Sequence, residues 1–125
     1  MQYLCLVYAE ESAFDAMSPD EILALEEAAV ATDEELRASG HLLLGQALEP
    51  VAAAITVRVR DGRVSTTDGP FAETKEQLGG FVFIEARDLA EATQIAARIP
   101  LARVGTIEVR PVVDLPRRIR ERKAG

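Results

Sequence analysis

The sequence is poor in the residue types that most often carry chemistry. Its 125 residues include one cysteine (Cys5), one histidine (His41) and no tryptophan. A single cysteine excludes an internal disulfide, and a single histidine excludes a multi-histidine metal site within one chain. No apolar run approaches the roughly 18 residues of a membrane-spanning helix. The first residues lack the basic segment of a secretory signal, so we expect a cytoplasmic protein with no membrane partner.

Basic residues are nearly absent from the first part of the chain. Residues 1–50 contain eleven acidic side chains and one basic side chain, Arg37. Residues 51–113 contain eight of each sign, and residues 114–125 have a net charge of +3. The total of −7 argues against nucleic acid as a partner of the whole surface. We interpret the acidic segment as the solvent face of a helix, and the basic end as a solvated tail.

The length and composition favour one compact domain. Hydrophobic residues make up 48% of the chain, which argues against disorder. We place a single domain over residues 1–113 and a basic tail, or a frayed helix, over residues 114–125.

Periodicity and turn signals predict an alternation of strands and helices. Ser18, Pro19 and Glu21 have the spacing of a capping box at the start of a helix. Asp61-Gly62 is typical of a two-residue hairpin turn. We predict helices over 19–39 and 88–98, a polar connection over 9–17, and strands over 2–8, 42–44, 51–60, 63–67, 80–86 and 106–113.

This order predicts an α+β fold with a ferredoxin-like βαβ-hairpin-βαβ subunit. Several strands are apolar on both sides, so two helices on one face would leave the other face exposed to water. Packing of two sheets face to face in a homodimer would cover it, which makes a second copy of the chain the first expected partner.

The densest group of functional side chains lies between Asp68 and Gly80. Asp68 has the chemistry of a general base, and Lys75 that of an oxyanion stabiliser, so we take both as candidate catalytic residues. Phe71, Glu73 and Glu76 are candidate ligand-binding residues. The alternative is a turn in which Glu73 and Glu76 pair with Lys75 at the surface. Asp68, Glu73 and Glu76 offer oxygen ligands of the kind that Mg²⁺ or Ca²⁺ prefers. Their spacing matches no EF-hand loop, so we predict no metal and no cofactor.

Two further residues have a chemical and a structural interpretation. His41 follows the predicted end of the first helix and is a third candidate catalytic residue, or a hydrogen-bonded histidine without chemistry. Cys5 lies within an apolar strand, which favours a small buried side chain over a nucleophile.

The segment Asp68-Gly69-Pro70-Phe71-Ala72-Glu73-Thr74-Lys75-Glu76, followed by Gly79-Gly80-Phe81, resembles the signature of the DGPF group of YCII-related proteins. The ends of the domain, 3–8 and 107–112, are similar to the same family. The resemblance implies a dimeric α+β barrel in which each subunit has a cleft. It also implies a mostly uncharacterised group whose genes often lie beside those of extracytoplasmic-function sigma factors.

More distant YCII-like relatives are thought to use a His-Asp dyad, and one acts as a dehydrochlorinase on a chlorinated hydroxyquinol. The positions of that dyad correspond here to Ala29 and Ile99. The resemblance therefore leaves catalysis undecided, since neither residue transfers protons. We expect a protein that binds or weakly transforms a small molecule in the barrel cleft. The alternatives are a non-enzymatic regulatory protein associated with such a sigma factor, and a purely architectural role for the motif.

Overall fold

The computed structural model describes all residues from 1 to 125 as one α+β domain followed by a helix. The strands are β1 Gln2–Ala9, β2 Leu42–Ala47, β3 Ile55–Arg60, β4 Arg63–Asp68, β5 Gln77–Glu85 and β6 Thr106–Pro111. The helices are α1 Glu11–Asp15, α2 Pro19–Ala38, α3 Leu89–Ala96 and α4 Leu115–Ala124. The predicted α+β class is confirmed.

The sheet has four antiparallel strands in the order β2-β5-β1-β6, and β3 and β4 form a separate hairpin. β1 lies inside the sheet and pairs with β5 on one side and β6 on the other. Its alternate side chains face the helices and form the centre of the core: Tyr3, Cys5, Val7 and Ala9. Side chains of β5 and α3 complete that core, chiefly Val82, Ile84, Ala92 and Ile95.

Helix α2 begins as the sequence predicts. Ser18 accepts a hydrogen bond from the Glu21 backbone, and Glu21 accepts one from the Ser18 backbone, which completes the capping box. Such a cap stabilises a helix by about 1 kcal/mol. Leu36 near the other end is fully buried, and it is the only buried residue of α2. The helix is therefore anchored on the sheet at its carboxyl-terminal end.

The structure corrects several predicted boundaries. Residues 11–15 form the short helix α1 instead of a polar connection, and residues 51–53 form a 3₁₀ turn before a shorter β3. β2 extends past Gly45 to Ala47. Of the two interpretations of residues 114–125, a tail or a helix, the structure has the helix. No helix is both long and apolar enough to cross a membrane.

The hairpin of β3 and β4 projects from the domain. Asp61 and Gly62 both have positive φ, 51° and 73°, as the predicted two-residue turn requires. Side chains of the two strands are exposed apart from the partly buried Thr56. The arginines Arg58, Arg60 and Arg63 lie on the polar face of the hairpin and are open to solvent.

The face of the sheet opposite the helices has no cover within the chain. Leu4 pairs with Phe83 and Leu6 with Phe81, and all four side chains point away from the core and are partly exposed. Leu44 on β2 extends this apolar area and is 47% exposed. The predicted excess of apolar surface on one face of the sheet is present.

We expect Gly105 to tolerate no side chain. A Cβ at this position would overlap the backbone oxygen of Tyr8, which cannot move without shifting the central strand. Replacement Gly105→Ala should lower the free energy of unfolding by about 2–3 kcal/mol in chemical denaturation. Gly79→Ala is the control, since its Cβ would meet only the Val7 oxygen at 3.9 Å. Equal losses in the two variants would contradict the steric explanation.

Candidate functional site

The loop from Asp68 to Glu76 lies at the surface, between the hairpin and β5. Gly69 adopts a φ of 95°, and its backbone bonds to Ala54 and Thr56 fix the base of the loop. Thr74 donates to the Glu76 oxygen, and the Gln77 amide donates to the Thr74 oxygen. Polar contacts of the backbone, rather than pairs between the charged side chains, therefore shape this loop.

The candidate residues of the loop are mostly exposed. Phe71 is 79% exposed, and Asp68, Glu73 and Lys75 are exposed as well, whereas Glu76 is half-buried. The five ion pairs of the structure lie elsewhere, so the surface pairing of Lys75 with its glutamates is not formed.

His41 lies at the other end of the sheet. Its backbone oxygen accepts a hydrogen bond from Glu85, at the far end of β5 from the loop. β5 has nine residues, and at about 3.3 Å per residue it separates His41 from the loop by roughly 25 Å. The imidazole contacts Ser39 Oγ through Nδ1 at 2.7 Å and lies 3.5 Å from Glu91 through Nε2. The structure does not bring His41 together with Asp68 and Lys75.

The largest cavity lies between α2 and the sheet, with a volume of about 620 Å³. A second cavity of about 350 Å³ adjoins it and shares six of the same wall residues. The walls are largely apolar, and the main contributions are from Val7, Phe14, Ile22, Leu25, Ala29, Leu48 and Leu101. We refer to the two cavities together as the cleft. None of the six residues predicted for the site lines it, although Gln77, which follows the loop, does.

Small residues on the sheet explain why the cleft is open. β2 contributes Gly45 and Ala47, and β5 contributes Gly79 and Gly80, so little side-chain volume lies under α2 between Ile22 and Asp33. Gly79 is the extra residue of a bulge, since Val7 pairs with Gly80 and Tyr8 with Leu78. Because α2 is anchored at Leu36, its first half stands away from these small residues.

Four acidic residues of the first segment of the chain border the cleft: Glu11, Asp15, Glu26 and Asp33. Glu26 and Asp33 lie on the face of α2 that borders it, seven residues apart and on either side of Ala29. Glu11 on α1 accepts a hydrogen bond from the Val51 backbone at 2.9 Å, while its own backbone donates to the Gln77 side chain. These bonds hold α1 and the 51–53 turn beside the cavity.

The burial of Asp33 changes its acidity. Its side chain lies over Gly45, with Oδ2 3.4 Å from the ideal Cβ position of that glycine. Desolvation by the surrounding residues raises the pKa of Asp33, and the nearby Arg37 guanidinium offsets part of the shift. The environment of Asp33 therefore favours its protonated form relative to an exposed aspartate.

Cys5 is inert. It is fully buried in β1, and burial raises the pKa of its thiol to about 11. The thiolate that a nucleophile requires is thus disfavoured. The interpretation of Cys5 as a small apolar core residue is confirmed.

Comparisons with known proteins place this architecture in a family. The YCII-related domain matches residues 1–116. The chain belongs to the YCII-related family. An uncharacterised protein of Rhizobium meliloti (strain 1021) is 38% identical over 114 residues, which covers 90% of this chain and 92% of that protein.

A solved structure shares the fold at low sequence identity. It is the 5-chloro-2-hydroxyhydroquinone dehydrochlorinase of Burkholderia phenoliruptrix AC1100, in complex with 2,5-dihydroxybenzoquinone. The TM-score is 0.54 at 16% identity, and the match covers 90% of this chain and 94% of that one. This likeness supports the YCII-related fold.

The positions identified with the family dyad lie beside the cleft. Ala29 lines both cavities, and Ile99 lines the second. Ala29 has a methyl side chain and Ile99 a branched alkyl side chain, and neither can transfer a proton. No group of three or more His, Cys, Asp or Glu side chains is arranged to hold a metal ion.

The polar residues of the cleft that sequence reasoning did not identify include Glu11, Asp15, Glu26, Asp33 and Gln77. Glu26 and Asp33 carried a signal, since their seven-residue spacing places them on one helix face together with Ala29. The signal was weak, because the same helix carries acidic residues on its other faces.

We expect Asp33→Asn to stabilise the protein near neutral pH. The pKa of Asp33 is higher in the folded protein than in the unfolded chain. The free energy of unfolding therefore falls as the pH rises from the unfolded pKa to the folded pKa, and the full loss persists at higher pH. The variant should melt at a slightly higher temperature than wild type at about pH 7, and the difference should vanish below the unfolded pKa of about 3.9. Thermal unfolding across that pH range measures it. A difference that stays constant with pH would assign the effect to packing.

Proposed function

We propose that the cleft between α2 and the sheet binds a small organic molecule that is uncharged or positively charged. The observation that carries this proposal is the cavity itself, whose volume of about 620 Å³ lies within the ~300–1,000 Å³ range of ligand sites. Its walls are mainly apolar, with a few polar groups at defined positions, which is the usual composition of such a site.

The charge of the lining supports the choice of ligand class. Glu11, Asp15 and Glu26 border the larger cavity, and Asp33 borders the smaller one. Neither set of wall residues includes a lysine, arginine or histidine. An anionic ligand would therefore lose its hydration without gaining a counter-charge, whereas a cationic group would meet carboxylates.

The proposal is for binding rather than for the dyad chemistry of distant relatives. Ala29 and Ile99 supply no acid or base. Burial raises the pKa of Asp33, which borders the smaller cavity, whereas His41 borders neither cavity. The structural neighbour was solved with a ring-shaped molecule, 2,5-dihydroxybenzoquinone, which supports a ligand of similar size.

A series of probes of equal shape tests this proposal. Benzylamine, benzyl alcohol and benzoate share one ring and differ in charge. We expect the amine and the alcohol to shift backbone amide resonances of cleft residues such as Ala29 and Ala47, and benzoate to bind at least about tenfold more weakly. Replacement Ala29→Phe should fill the cavity and abolish these shifts while the remaining spectrum stays folded.

The control variant for this test is Asp68→Ala. The loop lies outside the cleft, so the control should bind the probes as wild type does. Loss of binding in Asp68→Ala with an unchanged melting temperature would instead assign the site to the predicted loop residues. Preferential binding of benzoate would contradict the proposed ligand class.

We also propose that two subunits pack through the open face of the sheet, as in a dimeric α+β barrel of the DGPF group. The supporting observation is the apolar area formed by Leu4, Leu6, Leu44, Phe81 and Phe83, which nothing in the chain covers. Apolar areas of this kind on a sheet mark contact surfaces.

The replacement Leu6→Glu tests the subunit contact. A charge in the middle of the apolar face would be buried without a partner in the dimer but solvated in the monomer. We expect sedimentation to show a dimer for wild type and the 13.6 kDa chain alone for the variant. Leu89→Glu on α3 is the control, because Leu89 is 53% exposed on another surface. A wild-type monomer at micromolar concentration would refute the proposal.

Association with a sigma factor and a cytoplasmic location remain predictions from the sequence. Neither has a supporting feature in the fold comparable to the cleft, so the small-molecule site is the function that the geometry favours.

A further inference from the structure

Helix α4 is a basic amphipathic helix that its own chain leaves unpaired. It carries five cationic side chains and one acidic side chain, and none of its residues is buried. Its one ion pair is internal, between Arg117 and Glu121. Leu115 and Ile119 lie one turn apart, 56% and 44% exposed, and at helical spacing the cations beside them are Arg118, Arg122 and Lys123. One face of α4 therefore combines two apolar residues with three positive charges.

The outer face of α2 has the opposite charge and a similar pattern. Leu23 and Val30 are 53% and 59% exposed, and Glu27 and Glu34 lie on the same stripe at spacings of three and four residues. A shallow depression on this face is lined by Glu26, Glu27, Val30, Ala31 and Glu34. We refer to Leu23, Glu27, Val30 and Glu34 as the acidic stripe. All four residues are exposed to solvent, and the stripe includes neither the anchor at Leu36 nor the open sheet face.

We propose that α4 of one copy of the chain docks on the acidic stripe of α2 in a second copy. Each surface offers two exposed apolar residues bordered by charge, and the charges are of opposite sign. Such complementarity steers association and sets which surfaces meet. The proposal does not depend on the cleft ligand or on packing through the open sheet face. Of its residues only Val30 also borders the cleft, and its test leaves Val30 unchanged.

A second copy fits α4 better than nucleic acid or a membrane does. Residues 1–50 have a net charge of −10, which would repel a polyanion brought to the same molecule by one short helix. A membrane-binding helix needs a larger apolar face than Leu115 and Ile119 provide. Every copy of the chain contains both the basic helix α4 and the acidic stripe, so a second copy supplies a surface of opposite charge for α4.

Reciprocal charge reversal tests this contact. The first variant, Arg118→Glu/Arg122→Glu, makes α4 acidic, and the second, Glu27→Arg/Glu34→Arg, makes the stripe basic. In a complex of either variant with itself, α4 and the stripe carry charges of the same sign. In a complex of one variant with the other, each α4 meets a stripe of opposite charge. We expect the dissociation constant of the mixture, from titration of a labelled variant, to be at least about tenfold lower than that of either variant alone.

Comparison among these three titrations isolates the helix contact, because packing through the open sheet face contributes equally to each of them. The advantage of the mixture should shrink when the salt concentration rises from about 0.1 M to about 1 M, since the Debye length falls from about 10 Å to about 3 Å. Equal dissociation constants for the mixture and for each variant alone would overturn the proposal.

The matched control reverses the same number of charges on the other side of α4, with Arg117→Glu/Arg120→Glu. This control should associate with itself as wild type does. If this control loses self-association as the first variant does, association depends on net charge and not on one face of α4. That result would overturn the proposal. Binding of a DNA duplex or of anionic vesicles by wild type, lost in the first variant while the mixture shows no advantage, would assign α4 to that partner instead.

Discussion

The cleft depends on one packing constraint, which is that α2 is fixed to the sheet at one end only. Leu36 is fully buried at the carboxyl-terminal end, whereas Ile22, Leu25 and Ala29 in the first half are only partly buried. Beneath α2, between Ile22 and Asp33, the strands present Gly45, Ala47, Gly79 and Gly80. With no large side chains to fill the space, the helix and the sheet diverge. A core filled evenly along α2 would leave no site.

The same helix explains how the charge of the chain is used. Its acidic residues serve two surfaces, because a helix with charges at many positions presents them in several directions. Glu26 and Asp33 border the cleft, while Glu27 and Glu34 belong to the acidic stripe and face solvent. The negative charge of the first segment is therefore partly a property of the candidate site. This differs from the expectation that it belonged to a solvent face alone.

Elements with strong local signals were predictable. The capping box of α2, the Asp61-Gly62 turn and the N-cap of α3 each rest on residues within four positions of one another. Helix α1 was missed because it has no side-chain cap and is held by Glu11, which contacts Gln77 and Val51 far along the chain. The 3₁₀ turn after Pro50 falls within the strand predicted over 51–60, since three small or apolar residues fit a strand as well as a 3₁₀ turn.

The candidate site likewise depends partly on local sequence patterns and partly on contacts between distant segments. Composition and local pattern alone determined the fold class, the main helices and the excess of apolar surface on the sheet, because each depends on neighbouring residues or on totals. Only the tertiary structure decided that His41 and the Asp68 loop lie at opposite ends of β5. It also decided that Glu26, Asp33 and Gln77 border one cleft of two adjoining cavities. A cavity is a space left between distant segments, so no local pattern of side chains records it.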